Sequence, residues 1–370
     1  MNTLYYICQW GNDRKKAWSG TYLKIFDSLK NHFDIIDVPI QQSFFTQIKN
    51  AMVNRSLFVK YDFSYSALKH GGKKAIESIK DNNFCTFQYE EVPIKPYIHS
   101  YIYIDMCAQY IKDVIMTTPG FRDHYIWKKT DLKALDKRCE FQNRFFKECA
   151  GIFTMSRWLA KYIVDELGVD AERVHCVGAG ADINVNDISP NRAGNKILFV
   201  GRAFEAKGGY IVVKAFKILK EKYMKNAELY ILGPASNPLS EEIEGVFYKG
   251  ALPVEQVLEY YNTCDIFCMP SYIDAFGKVF VEALCCGLPC IGRSVLSMNE
   301  IIEDGKNGYN IPNDDEEYLA KRMYDLLIDK SIKQYVEDHR EEYHKKYSWD
   351  TVTENISRII DKDDFMRLDP

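Results

Sequence analysis

The sequence predicts an α/β fold made of two domains, each built on a mostly parallel sheet. Three observations predict it. Short β-branched or aromatic runs alternate with longer segments of helical period, the pattern left by βαβ units. The alternation runs twice, on either side of a polar stretch at 184–195 that is rich in Asn, Asp, Ser, Pro and Gly and has no hydrophobic period. A length of 370 residues, with 46% apolar and 27% charged side chains, is a globular composition large enough for two or three domains. It excludes collagen-like, coiled-coil and disordered chains.

The elements follow in order. In the first half, strands are expected at Thr3–Gln9, Phe33–Val38, Asn83–Tyr89, Tyr97–Asp105, Gly151–Met155 and Arg173–Val177. Helices are expected between them at Thr21–Asn31, Lys73–Lys80, Asp131–Glu148 and Ser156–Leu167. Beyond the polar stretch, strands at Lys196–Val200, Ala227–Leu232, Gly245–Tyr248, Ile266–Met269 and Leu288–Gly292 alternate with helices at Gly209–Tyr223, Val254–Asn262, Lys278–Cys286 and Tyr318–Asp329. A helix at Ser331–Tyr347 then leads through Ser348-Trp349-Asp350 to an amphipathic helix at Val352–Ile360.

Composition narrows the function. The net charge of −4 gives no electrostatic footprint for nucleic acid. The charge is uneven: residues 1–180 hold 25 basic and 20 acidic side chains, and the rest hold 23 and 32, so an anionic partner surface is sought in the first half. The opening residues Met1–Cys8 lack a basic region and an apolar stretch, and read as a strand rather than a signal peptide. No run approaches the length of a membrane helix. Eleven cysteines lie mostly within apolar runs and read as reduced, packed thiols of a cytoplasmic protein. The cluster Cys264, Cys268, Cys285, Cys286 and Cys290 lacks paired CxxC spacing, which argues against zinc.

Four segments could carry chemistry. Ala17-Trp18-Ser19-Gly20-Thr21 turns from strand to helix, so Gly20 either lets backbone N–H groups approach an anion or simply makes a tight turn. In Val200-Gly201-Arg202-Ala203-Phe204-Glu205-Ala206-Lys207-Gly208-Gly209 a guanidinium fork and an ammonium flank a glycine turn at the end of a strand. The pair suits phosphate oxygens, and a solvated surface loop is the plain alternative. In Pro270 to Ala283 a strand end meets a helix start, placing the backbone of Gly277, Lys278 and Val279 at a positive helix terminus suited to a diphosphate. Asp274 precedes that helix, and Glu282 interrupts its apolar run, either toward a ligand or on a solvent stripe. Finally, 126–148 interleaves Lys128, Lys129, Lys133, Lys137, Arg138, Arg144 and Lys147 with Trp127, Leu132, Leu135, Phe141, Phe145 and Phe146. It reads first as a helix with its apolar face in the core, and second as a peripheral contact with an anionic membrane surface.

These segments, taken in order, resemble the family 4 retaining glycosyltransferases of the GT-B fold. Gly201-Arg202 with Lys207-Gly208, Leu232-Gly233, Pro270-Ser271, Asp274-Ala275-Phe276-Gly277 with Glu282-Ala283, Cys286-Gly287-Leu288-Pro289, and Asp304-Gly305 with Asn307-Gly308 carry the likeness over 197–327. Toward the N-terminal side it rests on Trp18-Ser19-Gly20-Thr21, on Ser156 with Trp158, and on Gly180-Ala181-Asp182. Ser348-Trp349-Asp350 fits the closing segment.

The resemblance implies two Rossmann-like domains facing each other across a cleft. The acceptor side would be 1–185, joined by a C-terminal helix at 350–370 that crosses back to it, and the donor side would be 186–349. It implies transfer of a hexosyl-type sugar from a UDP- or GDP-linked donor to a hydroxyl of a glycan or lipid-linked glycan, with retention and without a cofactor or metal. Arg202 and Lys207 would hold the diphosphate and stabilise the leaving nucleotide, with Gly20 reaching the diphosphate from the first domain. Phe276, Gly277, Lys278 and Val279 would line the sugar and phosphates, Glu282 would accept from the ribose, and Asp274 would hold the donor sugar. Two departures stand out. Asp274 occupies a position where the family has Glu, which implies altered donor specificity. The strand ending at Asp105 lacks the His that many relatives carry there, His99 falling too early; Asp105 either serves the acceptor or donor sugar or caps the helix that follows. Two rival readings are a nucleotide-sugar 2-epimerase of the same fold and a donor-binding protein without turnover.

Overall fold

The computed structural model describes residues 2–11, 13–15, 17–40, 79, 84–89, 91, 99–118 and 130–368. The helix expected at 73–80 lies almost wholly outside them, as do residues 126–129 of the basic segment. Among the described residues no helix is long and apolar enough to cross a membrane. The chain divides into two compact units, one formed by Met1–Gly178 with Trp349–Pro370 and the other by Ala179–Ser348.

The first unit holds strands β1 (Thr3–Cys8), β2 (Asp34–Pro39), β3 (Cys85–Gln88), β4 (Ser100–Ile104), β5 (Gly151–Thr154) and β6 (Val174–Cys176). They form one parallel sheet in the order β2-β1-β3-β4-β5-β6. Helices α1 (Thr21–Leu29), α2 (Ala108–Thr117), α3 (Leu132–Glu148) and α4 (Arg157–Asp165) belong to it. Both faces of such a sheet are covered, which is why β4 and β5 are buried along their whole length.

Helix α3 shows where the apolar stripe of the basic segment goes. Leu135, Phe141, Phe145 and Phe146 are buried, the last two beside Ile102, Ile104 and Ile152. Arg138 pairs with buried Glu91 and Lys112 of α2 with Asp136, while Asp131 caps the start by accepting from the Lys133 and Ala134 N–H groups. The core alternative therefore fits this helix, whose apolar face is already covered.

The second unit holds β7 (Lys196–Val200), β8 (Glu228–Leu232), β9 (Val246–Gly250), β10 (Ile266–Cys268), β11 (Cys290–Arg293) and β12 (Gly308–Ile311), again all parallel, in the order β12-β11-β10-β7-β8-β9. Its helices are α5 (Gly209–Lys222), α6 (Val254–Thr263), α7 (Lys278–Cys285), α8 (Met298–Ile301), α9 (Glu316–Ile328), α10 (Lys330–Asp338) and α11 (Arg340–Lys346). The single helix expected at 331–347 is two, broken at His339, whose ring stacks on Tyr335 with centroids 3.9 Å apart. All eleven cysteines are free, and the five between 264 and 290 are buried in the core of this unit. Burial pushes the Cys264 and Cys286 thiols up to about 12, which keeps them protonated.

The polar stretch before β7 is anchored rather than loose. Arg192 donates from Nε to the Cys264 carbonyl at 3.0 Å and also bonds the Cys286 carbonyl, tying together the ends of α6 and α7. Asp265, buried, accepts from the Gly194 and Lys196 N–H groups at 2.7 and 2.9 Å.

The last helix, α12 (Trp349–Leu368), returns to the first unit and packs against α1. Ser28 donates to Asp350 at 2.8 Å and shares a hydrogen bond with Thr353 at 2.8 Å, and Tyr101 of β4 donates to Asp363 at 2.7 Å.

Candidate functional site

In a parallel sheet, ligands settle at the carboxyl ends of the strands where the winding direction reverses. The second sheet reverses between β7 and β10, which are neighbours although β8 and β9 intervene in sequence. The segments leaving those two strands are Gly201–Gly208 and Met269–Gly277, which carry Arg202, Lys207, Asp274 and Phe276.

These two loops are bonded into one body. The Tyr272 N–H donates to the Ala206 carbonyl at 3.0 Å, and Ser271 Oγ lies 3.3 Å from the same oxygen and 2.7 Å from the Ile273 carbonyl. Gly208 has φ +75°, and a Cβ there would stand 2.4 Å from the Pro270 carbonyl oxygen, so glycine alone permits the close approach. Arg293, buried, donates to the Pro270 carbonyl at 3.3 Å and to Asp314 at 2.5 Å, with its guanidinium 4.3 Å above the Tyr272 ring, whose hydroxyl bonds the same Asp314 at 3.0 Å.

On this frame the charged groups meet. Lys207 Nζ lies 2.6 Å from Asp274 Oδ2, both half-buried, whereas Arg202 is exposed. Helices α5 and α7 start from left-handed glycines, Gly208 and Gly277, and neither start has a side-chain cap. At α5 the Gly209 N–H already donates to the Phe204 carbonyl at 2.8 Å, so that helix start is closed by its own loop. Ser297 fixes the approach to α7 by donating to the Phe276 carbonyl at 2.8 Å, and the Met298 methyl fills the space where a Gly277 Cβ would be, 2.5 Å away.

One turn into α7, Glu282 accepts from the Tyr261 hydroxyl at 3.2 Å. Burial pushes its carboxyl up to about 7, against the pull of Lys278, while Asp182 pushes the same way as burial. Lys278 itself forms an ion pair with Asp182. Glu282 is therefore a half-buried acid linked to Tyr261 and to charged neighbours, rather than one on an open solvent stripe. Tyr261, Arg293 with Asp314, and the pairing of Asp182 with Lys278 were not singled out in the sequence, because each works through a partner 21 to 96 residues away.

The first sheet reverses between β1 and β3. Gly20, φ +87°, stands at that reversal as the uncapped start of α1. Asp105 follows β4 directly, and α2 begins at Ala108 with Cys107 as its N-cap, so Asp105 is not that helix's cap. His99 precedes β4, at the opposite end of the strand from Asp105.

Comparison with known proteins agrees with the two-sheet architecture. Sucrose-phosphate synthase from Thermosynechococcus elongatus superposes with a TM-score of 0.73 at 14% identity, over 98% of this chain and 99% of that one. Two doubly wound parallel sheets with the return of the last helix decide the architecture. The fold is GT-B. Anabaena HepE, solved in complex with UDP and glucose, superposes at 0.67 with 13% identity, over 98% of this chain and all of that one. Residues 182–346, nearly all of the second unit, match the family described as glycosyl transferases group 1. An uncharacterized glycosyltransferase of Methanocaldococcus jannaschii is 26% identical over 55% of this chain and 58% of its own. The D-inositol 3-phosphate glycosyltransferase of Paenarthrobacter aurescens is 26% identical over 52% of each chain. The matched region thus spans a little over half of those relatives.

Proposed function

We propose that this protein is a retaining glycosyltransferase that moves a hexosyl-type sugar from a nucleoside-diphosphate sugar to a hydroxyl of a glycan or lipid-linked glycan. The observation that supports the reading is the junction of the β7 and β10 loops at one sheet reversal, where Lys207 of one loop meets Asp274 of the other. Breaking the bond from the anomeric carbon to phosphate leaves charge on the departing diphosphate. Arg202, Lys207 and the α7 N–H groups stabilise that charge in the role a metal ion takes elsewhere. The acceptor oxygen bonds the anomeric carbon on the face the diphosphate leaves, and its proton passes to the departing phosphate.

Within this scheme Asp274 holds hydroxyls of the donor sugar, and Glu282 accepts from the ribose once deprotonated. Phe276, Gly277, Lys278 and Val279 line the sugar and phosphates. The first unit supplies the acceptor side, with Gly20 serving the diphosphate and Asp105 the reacting sugars. UDP is the first nucleotide to try, because HepE was solved with UDP and glucose.

The test is a panel of UDP-glucose, UDP-N-acetylglucosamine and GDP-mannose, with UDP and GDP alone as ligands. A nucleotide at a hundred times its dissociation constant stabilises by about 2.7 kcal/mol and raises Tm by several degrees. Slow hydrolysis of one donor, abolished in Lys207→Ala, is the expected result. Interconversion at carbon 2 without an acceptor would replace the reading with an epimerase, and binding without any turnover with a donor-binding protein.

A further inference from the structure

The two described tryptophans at the β1–α1 end of the first sheet behave differently. Trp10 is buried, and its indole N–H donates to Asp37 Oδ1 at 2.8 Å. That is how a tryptophan is satisfied in a core. Trp18 is half-buried, and its indole N–H has no hydrogen-bond partner among the described residues. Its backbone is also strained: φ is +44°, in the left-handed region that bulky side chains avoid, and Leu296 is the one other non-glycine described there.

The ring is nonetheless held firmly. Trp18 meets Tyr22 at 5.2 Å, Tyr89 at 5.5 Å and Tyr103 at 6.2 Å between centroids, the last two edge-to-face at 75° and 71°. Those tyrosines are themselves locked, Tyr89 sharing a hydrogen bond of 2.5 Å with Tyr6 and Tyr103 donating to the Gly178 carbonyl at 2.8 Å. All of this stands at the carboxyl ends of β1, β3 and β4, around the sheet's reversal. A strained, rigidly framed and half-buried aromatic at the carboxyl edge of a doubly wound sheet is a feature of a binding site rather than of a core.

We infer that Trp18 is the stacking platform for the acceptor, and that the acceptor's reacting unit is a pyranose ring. A pyranose offers this side chain both an apolar C–H face for the indole and a hydroxyl oxygen to accept its N–H. An acyl chain would cover the ring and leave the donor unmet. The inference rests on the transferase reading for the word acceptor, and its chemistry rests on Trp18 itself.

Saturation-transfer NMR on the full chain tests it, irradiating aromatic protons with methyl α-glucopyranoside, methyl β-galactopyranoside and methyl α-mannopyranoside as probes and glycerol as the open-chain control. Saturation is expected to reach the ring C–H protons of at least one pyranoside and not glycerol. The signal is expected to fall at least fivefold in Trp18→Gly, where glycine accepts the φ of +44° and so favours retention of the fold, checked by Tm. Trp18→Tyr, which keeps a ring with a polar tip, should retain it. Equal signals in the wild type and Trp18→Gly overturn the platform. So does a wild type that binds UDP but saturates no pyranoside, which leaves the donor reading intact. A Trp18-dependent pyranoside signal with no response to UDP or GDP overturns the donor reading and leaves the platform standing.

Discussion

The carboxylate of Asp274 occupies the ammonium of Lys207, 2.6 Å away, across two loops that leave neighbouring strands. An anionic ligand arriving at Lys207 must therefore compete with a carboxylate already there, and winning releases Asp274 for other hydrogen bonds. Under the proposed function, diphosphate binding and readiness to hold the sugar become one event.

Asp274→Asn removes the competitor. Affinity for UDP or GDP alone is expected to rise about threefold to tenfold, since a neighbouring carboxylate opposes an incoming anion. Donor turnover is expected to fall about a hundredfold. Calorimetric titration beside a turnover assay checks both, and unchanged nucleotide affinity would mean that the pair does not gate the site.

Arg202 is exposed, so its replacement by Ala should leave Tm almost unmoved, within about 0.5 kcal/mol of stability. Its proposed work is on charge that develops during transfer. Turnover should drop about 10²–10³-fold, as when one donor to a developing anion is lost. Unaltered turnover would leave Arg202 an ordinary surface cation.

Glu282 titrates upward, from 4.5 to about 7, so the folded state holds its proton more tightly than the unfolded chain does. The sign follows: this group's contribution to stability declines as pH rises from about 4.5 to 7 and stays low above that. Glu282→Gln should match the wild type near pH 4 and exceed it by about 3 kcal/mol at pH 8. Thermal denaturation at the two values decides it, and a gap that ignores pH would remove the buried-acid description.

Gly208→Ala places a methyl 2.4 Å from the Pro270 carbonyl oxygen at a φ of +75°. The loss should exceed about 1 kcal/mol, a fall in Tm of at least about 2–4 °C. A variant as stable as the wild type would show that the two loops can separate freely.

Much of the architecture was legible because βαβ units write their period into sequence. Eleven strands were anticipated, most to within one or two residues, since each is a short apolar run next to a turn. The twelfth, Gly308–Ile311, was not, because its Asn310 and glycine break the apolar pattern. Helix α2 was only hinted at beyond Asp105, and it starts without any side-chain cap to mark it. The residues gathered at the second sheet's reversal were legible as loop motifs. Their pairing was not: nothing in the spacing says that Lys207 meets Asp274, or that Asp182 meets Lys278 across 96 residues. Trp18 was visible only as part of a turn, because backbone strain leaves no trace in composition.

The return of α12 has a consequence for biogenesis. The second unit is one continuous stretch, Ala179–Ser348, and all six strands of its sheet have been synthesised before Trp349. The first unit, although translated earlier, keeps Ser28 and Tyr101 waiting for Asp350, Thr353 and Asp363. The first unit is thus the one whose last contacts wait for the end of the chain.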